Sequence, residues 1–234
     1  MKIAGARILI TGANRGLGNA LARAALARGA AKVYAGARNP ASVDLAGVTP
    51  IGLDITDPAS VAAAASAATD VDVLINNAGV STYTDLVTGD LDTIRFEMET
   101  QFFGTLNMVR AFAPVLKANG GGAIVNVLSA LSWFSIEGSN AYAASKAAAW
   151  SLTNGVRLEL AKQGTTVTGV HLGVVDTDMT KDYDGPKLPP STVADAALDG
   201  LEAGELEVLA DQWSADVKAA LARDPREFYG ARIA

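Results

Sequence analysis

The stretch RILITGANRGLG, residues 7–18, decides the fold. Its apolar, β-branched run ends at Thr11, and three glycines, Gly12, Gly16 and Gly18, lead from it into an Ala- and Leu-rich segment of helical period. A strand that turns through glycines into a helix is typical of a dinucleotide-binding βαβ unit, because glycine lets the backbone approach a pyrophosphate and the helix N-terminus attracts its charge. The spacing differs from G-x-G-x-x-G, and a purely structural tight turn is the alternative.

The same alternation of elements continues along the chain. Short β-branched runs alternate with helical segments, which predicts parallel strands joined by right-handed helical crossovers. The expected fold class is α/β, a single-domain doubly wound Rossmann fold with a seven-stranded parallel sheet. Strands are expected at Arg7–Ile10, Lys32–Ala35, Pro50–Leu53, Val71–Ile75, Ala123–Leu128, Thr165–His171 and Leu206–Leu209. Helices are expected at Gly16–Arg28, Pro58–Ala68, Asp90–Asn119, Ala141–Lys162, Val193–Ala203 and Ser214–Ala222.

Three features suggest what lies at the edges of this domain. The two long helices, Asp90–Asn119 and Ala141–Lys162, are too apolar to be solvated on every face that the sheet leaves free, so a homodimer or homotetramer is expected. A loop at about residues 180–191, rich in glycine and proline, is a candidate substrate lid. The tail Arg223–Ala234 could cover the cleft or a neighbouring subunit, and its residues do not decide between the two.

Composition excludes several classes of protein. The chain has 234 residues, half of them hydrophobic, which suits one domain with one core. A net charge of -6 argues against a nucleic-acid partner, and the lack of cysteine excludes disulfides and thiolate metal sites. No export signal and no apolar stretch of membrane-spanning length are apparent, so we expect a cytoplasmic protein without a membrane partner.

The second strand carries the signal for cofactor choice. Dinucleotide folds that take NAD usually place an acidic residue there against the ribose hydroxyls. Here small Ala37 leaves room for a 2′-phosphate, which Arg38 can bind together with Arg15 from the glycine turn. The sequence therefore favours NADP(H), unless both arginines are ordinary surface charges.

Two further turns are expected along the same cleft. Asp54 could accept a hydrogen bond from the adenine amino group. The alternative is a plain helix-capping role, because residues 54–58 lead into a helix for which Asp57 is already a good N-cap. The fourth strand runs into Asn76-Asn77-Ala78-Gly79, at the sheet edge where such folds bind ligands. Asn77, Ala78 and Gly79 could lie against the cofactor ribose. The alternative is that these residues form an ordinary turn with no ligand.

Three side chains form a candidate catalytic group. Tyr142 and Lys146 are four residues apart at the start of a predicted helix, so they share one face. An adjacent ammonium favours phenolate and brings the tyrosine pKa toward the working range. Ser129 ends the fifth strand and can hydrogen-bond a substrate oxygen as charge develops. Each residue alone has an ordinary structural reading, and the combination favours an enzyme.

The ordered motifs resemble those of the short-chain dehydrogenase/reductase family, of the NADP(H)-preferring ketone and aldehyde reductase type. They are TGANRGLG, NNAG, Ser129 with Tyr142-Ala143-Ala144-Ser145-Lys146, and Gly173 followed by Asp176-Thr177, and they span nearly the whole chain. The resemblance implies that Tyr142 is the catalytic acid/base, that Lys146 lowers its pKa and holds the nicotinamide ribose, and that Ser129 orients the carbonyl. It implies a cofactor site made of Gly12, Asn14, Arg15, Gly16, Leu17, Gly18, Arg38, Asp54, Ile55, Asn77, Ala78, Gly79, Tyr142, Lys146, Gly173, Val175 and Thr177, with Thr177 on the nicotinamide carboxamide.

Two positions depart from the family pattern. Many members carry Asn where this chain has Gln101, three residues before Gly104, and that Asn helps hold a water that connects the lysine to solvent. Gln101 is one methylene longer, so we expect a weakened proton relay. Leu172 precedes Gly173 at a position where the family often has proline. This change could alter the conformation of the following loop, and the sequence does not say in which direction.

An apolar cleft is expected beside the catalytic group. Its candidate lining is Ser81, Trp133, Phe134, Met179 and Tyr183, which favours an apolar or aromatic ketone, aldehyde or secondary alcohol as the small-molecule substrate. Trp133 and Phe134 could equally pack under the lid or at a subunit contact.

The rival interpretations lack the residues that they need. A Ser-His-Asp hydrolase requires a base beside a nucleophile, yet the one histidine, His171, lies in an apolar strand and no G-x-S-x-G elbow is present. No metal site is expected, because the acidic stretch from Asp176 to Asp184 does not have the pattern of a calcium loop. A non-catalytic NADP(H)-binding sensor remains the alternative function.

Overall fold

Seven parallel strands form one sheet in the order β3-β2-β1-β4-β5-β6-β7. The computed structural model describes residues 1–230. The strands are β1 (Arg7–Thr11), β2 (Lys32–Ala37), β3 (Thr49–Gly52), β4 (Val73–Asn76), β5 (Gly122–Val127), β6 (Thr165–His171) and β7 (Glu207–Leu209). The doubly wound α/β prediction is confirmed, with strand ends that differ from the expected ones by at most two residues.

Helices connect the strands on both faces of the sheet. They are α1 (Gly16–Ala27), α2 (Pro58–Ala67), α3 (Leu91–Met98), α4 (Thr105–Ala118), α5 (Asn140–Leu160), α6 (Pro190–Ala203), α7 (Gln212–Ala220) and α8 (Pro225–Tyr229). Alternate residues of β1 face opposite cores, as a strand requires: Ile8 and Ile10 pack with the α1 and α6 residues, and Leu9 packs with those of α2, α4 and α5. Both faces of the sheet are therefore buried, which explains its continuous apolar strands.

The order of the strands reverses at β1. This strand pairs with β2 on one side and with β4 on the other, so the connections that leave the carboxyl ends of β1 and β4 diverge. Such a switch point opens a crevice in which α/β proteins bind ligands. Gly12 and Asn77 lie at its two sides.

The prediction of one continuous helix over Asp90–Asn119 is wrong. A six-residue π-helical segment, Glu99–Gly104, separates α3 from α4. Hydrophobic period continues through the segment, and for this reason the sequence does not reveal the extra residue that a π turn inserts. A Cβ on Gly104 would lie 2.7 Å from Ile55 Cδ1, so close packing onto the sheet side needs glycine there. The π turn also contains Gln101.

The remaining differences lie near the C-terminus. Helix α6 begins at Pro190 rather than Val193, since proline is favoured in a first helical turn. The candidate lid is therefore shorter than expected, and Leu188 within it bridges Val175. The tail, for which the sequence analysis gave no element, contains α8, which Asp224 caps. Residues 231–234 of that tail lie outside the described residues.

Two absences hold for residues 1–230. None of their helices combines the length and apolarity that crossing a membrane would need. Within the same range, no group of three or more acidic or histidine side chains is arranged to hold a metal ion.

Candidate active site

Tyr142 and Ser129 meet at the carboxyl edge of the sheet. Ser129 lies two residues beyond β5, and Tyr142 lies in the first turn of α5. Burial raises the pKa of Tyr142 well above its usual value, and the Ser129 hydroxyl, which faces the phenol, acts in the opposite direction. A buried phenol held in its protonated form is a suitable proton donor.

Lys146 lies one helical turn after Tyr142 and is 5% exposed. Its Nζ donates a hydrogen bond to the carbonyl oxygen of Val127 at 2.9 Å and lies 5.6 Å from the centre of the Tyr142 ring. Burial lowers the pKa of Lys146 to about 8, so the side chain is still mainly an ammonium at neutral pH. A buried cation beside a phenol favours phenolate and so promotes proton release.

Ser129 is held from two sides. Its Oγ accepts a hydrogen bond from the Leu131 N–H at 3.1 Å, which starts the short 3-10 turn Ala130–Ser132. Its carbonyl oxygen lies 3.1 Å from Nδ1 of His171. Because a carbonyl can only accept, Nδ1 carries the proton and the imidazole is a donor. The serine hydroxyl is therefore fixed in position at the strand end.

His171 is fully buried in β6 and stacks on Trp133, with ring centroids 3.7 Å apart. Its Nε2 has no hydrogen-bond partner among residues 1–230. Burial lowers the pKa of His171 to about 4. The histidine is consequently neutral in the folded protein, where it supports Ser129 rather than acting as a base.

Acidification is expected to destabilise the protein through His171. Below the ordinary imidazole pKa the unfolded histidine binds a proton and the folded one does not. The contribution of neutral His171 to the free energy of unfolding is therefore complete above that pKa and is lost as the pH falls below it. Between about pH 7.5 and about pH 5 the free energy of unfolding should drop by roughly 2 kcal/mol. Urea unfolding of the parent and of His171→Gln at both pH values checks this, since the variant should lose much less. Equal losses in the two proteins would assign the acid sensitivity to other groups.

The glycine turn forms a narrow cradle beside β4. Gly12 has φ +67°, a left-handed conformation that favours glycine. Asn77 Nδ2 donates to the Thr11 carbonyl at 2.9 Å and so ties the turn to β4. A Cβ on Gly18 would overlap the Gly12 carbonyl oxygen and lie 2.6 Å from Asn77 Nδ2. Only a side-chain-free backbone fits here, as a phosphate cradle requires.

The polar residues near the cradle have local partners. Arg15 pairs with Asp178 at 2.7 Å, on the surface, where such a pair contributes little and can exchange for another anion. Asn14 Nδ2 donates to Ser42 Oγ at 3.2 Å. Arg38 is exposed just after β2. The structure thus leaves Arg38 at the cleft, whereas Arg15 is engaged with a neighbour.

Asp54 caps its own turn. Its Oδ1 accepts from the Thr56 N–H at 3.0 Å and from the Thr56 hydroxyl at 2.7 Å, and these bonds lower the pKa of Asp54. Asp57 caps α2 by accepting from the Ala59 N–H. Ile55 is buried in the core. The geometry favours the local capping role that the sequence left open for Asp54.

The NNAG turn braces the central strands. Asn76 Nδ2 donates to Asn126 Oδ1 on β5 at 2.8 Å. The backbone N–H groups of Asn77 and Ala78 both donate to the Thr11 hydroxyl at 2.9 Å. Gly79 is packed against Gln101, since a Cβ on it would lie 2.9 Å from Gln101 Oε1.

Gln101 is 2% exposed and its Nε2 donates to the Val80 carbonyl at 2.7 Å. The side chain therefore holds the loop after β4. Its expected part in a proton relay stays a prediction.

The segment after β6 closes over the glycine turn. Gly173 N–H donates to the Asp211 carboxylate at 2.7 Å, and Val175 is buried where it bridges Leu188. A Cβ on Gly16 would lie 3.2 Å from Thr177 Cγ2. Leu17, which follows Gly16 in the first turn of α1, packs against the core. The structure thus brings Thr177 to the glycine cradle.

The expected substrate residues divide into two groups. Ser81 lies on the loop after β4, and Met179 and Tyr183, 40% and 45% exposed, lie on the segment after β6. Phe134 is buried, with its ring centroid 4.4 Å from that of Phe228 and 5.1 Å from that of Tyr229.

Trp133 and Phe134 line a cavity of about 330 Å³, together with residues of α5 and of the C-terminal end of α7. Neither Ser129 nor Tyr142 belongs to its lining. The packing alternative therefore fits Phe134 better than a place in the substrate cleft. Trp133, stacked on His171, supports the Ser129 strand end from the same side.

Sequence reasoning missed the burial of Glu97 and the backbone conformation of Tyr83. Glu97 is fully buried in α3, and its Oε1 accepts from the Thr82 hydroxyl at 2.6 Å. Tyr83 has a left-handed φ of 54°, unusual for a residue other than glycine, and its hydroxyl donates to the Met179 carbonyl at 2.5 Å. Neither has a sequence signal, because both depend on contacts between distant parts of the chain.

Residues 6–187 match the sequence model of a protein family described as short chain dehydrogenase. An uncharacterized oxidoreductase of Staphylococcus aureus (strain MW2) is 31% identical over 205 residues, which are 81% of this chain and 88% of that protein. An uncharacterized oxidoreductase of Staphylococcus saprophyticus is 34% identical over 135 residues, 56% of this chain and 58% of that protein, so this match spans less than two thirds of the relative.

A solved structure shares the entire fold. It is a short chain dehydrogenase from Burkholderia cenocepacia J2315 in complex with NADP, which is 42% identical with a TM-score of 0.94 and covers 100% of this chain and 99% of that one. Because the match extends over the full length, the shared fold includes the glycine turn, the sheet edge that carries Ser129 and the C-terminal helices.

Proposed function

Because the chain belongs to the short-chain dehydrogenase family, we propose that this oxidoreductase interconverts a carbonyl compound and its alcohol with NADP(H) as redox partner, using Tyr142, Lys146 and Ser129. The observation that carries the proposal is the buried Lys146 ammonium 5.6 Å from the Tyr142 ring. Burying a cation is costly and serves no packing purpose, whereas it activates a phenol. A sensor that only bound the dinucleotide would not need Ser129, Tyr142 and Lys146 together.

The residues present fit a dinucleotide. Gly12 and Gly18 form a turn at the switch point of the sheet, in which an added Cβ would press on neighbouring residues, so the backbone there must stay free of side chains. Arg38 follows small Ala37 at the end of β2, which suits a 2′-phosphate better than a ribose hydroxyl. The similar Burkholderia cenocepacia structure contains NADP. When bound, the nicotinamide supplies or accepts the hydride.

The side chains divide the remaining work. Tyr142 holds the proton at its phenol oxygen and donates it to the carbonyl oxygen, or takes it from the alcohol in the reverse direction. Lys146 stabilises the phenolate that remains after donation. The Ser129 hydroxyl, fixed by Leu131 and His171, donates a hydrogen bond to the substrate oxygen where negative charge develops.

An apolar or aromatic ketone, aldehyde or secondary alcohol is the proposed substrate class. Tyr83, Met179 and Tyr183 are exposed apolar groups on the two segments that flank the glycine cradle. A substrate lid at residues 180–191, a homodimer or homotetramer, and a cytoplasmic location complete the proposal. Phe103 on the π turn and Leu158 on α5, 45% and 79% exposed, support an oligomer that covers the long helices.

The test is cofactor oxidation by the purified protein. NADPH and NADH are each combined with acetophenone, benzaldehyde, cyclohexanone and 2-heptanone, and the loss of reduced-cofactor absorbance is followed. Turnover with NADPH is the expected result. Tight NADPH binding without turnover of any probe or of the corresponding alcohols would favour the sensor alternative.

Arg38→Ala is expected to change cofactor preference. Loss of a charge-assisted bond to a 2′-phosphate should weaken NADPH binding by on the order of 10- to 100-fold and leave NADH binding unchanged. Fluorescence titration of the parent, of Arg38→Ala and of Arg110→Ala, a change at an exposed arginine on α4, checks this. Equal weakening of both cofactors would contradict a 2′-phosphate contact.

A further inference from the structure

Glu97 is a buried carboxylate with an unused oxygen. The side chain is 0% exposed, and its Oε1 accepts hydrogen bonds from the Thr82 backbone N–H and hydroxyl. Oε2 is buried and has no hydrogen-bond partner in the described part of the chain. Because an incompletely satisfied buried carboxylate destabilises a fold, it points to a function.

Residues 82–85, here called the strap, connect Glu97 to the helix of Tyr142. The Thr82 hydroxyl donates its one proton to Glu97 and lies 2.9 Å from Thr84 Oγ1, from which it accepts. The Thr84 carbonyl accepts from the backbone N–H of Ala141 at 2.9 Å. A short chain of hydrogen bonds thus runs from the buried carboxylate to the residue before Tyr142.

The strap has further ties at its other residues. Asp85 Oδ1 accepts from the Gly138 N–H at 2.8 Å and from Asn140 Nδ2 at 2.7 Å, just before and at the start of α5. The Tyr83 hydroxyl reaches the Met179 carbonyl across the cleft. Because Tyr83 is held in a left-handed conformation, the strap needs firm anchors at both ends.

The charges around the phenol oppose one another. Burial is the largest cause of the raised pKa of Tyr142, and the Ser129 hydroxyl lowers it. The charge of Glu97 raises the pKa further, as does that of Tyr83 when ionised. Lys146, on the same helix as Tyr142, is the cation nearest in sequence and favours phenolate. Glu97 therefore acts against Lys146.

We propose that Glu97 is a positioning residue for the reaction: its carboxylate anchors the strap against the start of α5, and its negative charge favours the neutral phenol of Tyr142, the proton donor for carbonyl reduction. The inference rests on the proposed function, in which Tyr142 is the acid/base. Two effects of one side chain follow, and the charge can be removed without the anchor.

Glu97→Gln removes the charge and keeps an oxygen that can accept from Thr82. The pH at which alcohol oxidation reaches half its maximal rate should fall by roughly one unit, because phenolate forms more easily once the like charge is gone. Glu99→Gln, two residues along but exposed, is the matched control and should keep the parent profile. Titration of phenolate absorbance with NADP+ present, with Tyr142→Phe subtracted, gives the same comparison without turnover.

Glu97→Ala removes the anchor as well. Hydrogen exchange of the Thr82 amide and of the first turn of α5 should then quicken at least tenfold, while Glu97→Gln should keep most of the protection. A Glu97→Gln profile and titration that superimpose on those of the parent would overturn the charge effect. Unchanged exchange in Glu97→Ala would overturn the anchor. Retained turnover in Tyr142→Phe would instead refute the proposed function, whatever Glu97 does.

Discussion

Tyr142→Phe should reduce the turnover number for every substrate of the protein by on the order of 10³-fold, within the range that a positioned general acid contributes. NADPH affinity should change little, because the phenol oxygen donates to the substrate. The ring would remain packed above Lys146, whose ammonium lies 5.6 Å from its centre. The variant would therefore fold normally and lack only the proton donor.

The comparison variant is Tyr34→Phe. It deletes the same atom from β2, where the hydroxyl donates to Asp70 at 2.6 Å at the opposite end of the sheet. We expect some loss of thermal stability and full activity. The measurements are steady-state rates and NADPH fluorescence titrations on the parent and both variants. A Tyr142→Phe protein with a rate near the parent's would mean that another group delivers the proton.

The sequence predicted the fold well where local pattern and tertiary packing agree. Strand β6, Thr165–His171, was predicted with both ends correct, because its β-branched run is bounded by Gly164 in a left-handed conformation and by the turn at Gly173. The helix Asp90–Asn119 was predicted as continuous, since a π turn at residues 99–104 leaves the apolar period almost unchanged.

The site was predictable to the extent that strand ends define it. The edge of a parallel sheet brings together residues that follow different strands, so Ser129 could be placed with Tyr142 and Lys146 from order alone. Glu97 could not, because a glutamate in a helix that also exposes Asp92 and Glu99 is typical of a solvated surface. Its burial depends on a loop that precedes the helix by many residues.

Phe134 could not be assigned from the sequence. Its aromatic character between two candidate catalytic positions fitted a substrate pocket and a packing role equally, and in the structure the ring is covered by Phe228 and Tyr229. Those residues belong to α8, a five-residue helix too short for its period to be visible in sequence. Aromatic residues near a site therefore indicate substrate contact only after the rest of the chain has been placed.

Gly18→Ala is expected to abolish detectable NADPH binding. The added methyl group would overlap the Gly12 carbonyl oxygen and press on Asn77 Nδ2, which is tied to the Thr11 carbonyl. Neither neighbour can move without opening the turn, so the cradle must deform, with a loss of about 1–3 kcal/mol in stability as for other overpacked sites.

Gly155→Ala makes the same chemical change inside α5, where nothing lies within 4 Å of the new Cβ. There the free energy of unfolding should rise by about 0.5–1 kcal/mol, because alanine loses less backbone entropy in a helix than glycine does. Urea unfolding and NADPH titration of the two variants distinguish them, with opposite signs expected for stability. If Gly18→Ala bound NADPH as tightly as the parent, the phosphate would have to lie elsewhere than at this turn, and the assignment of the cofactor to the β1–α1 cradle would fail.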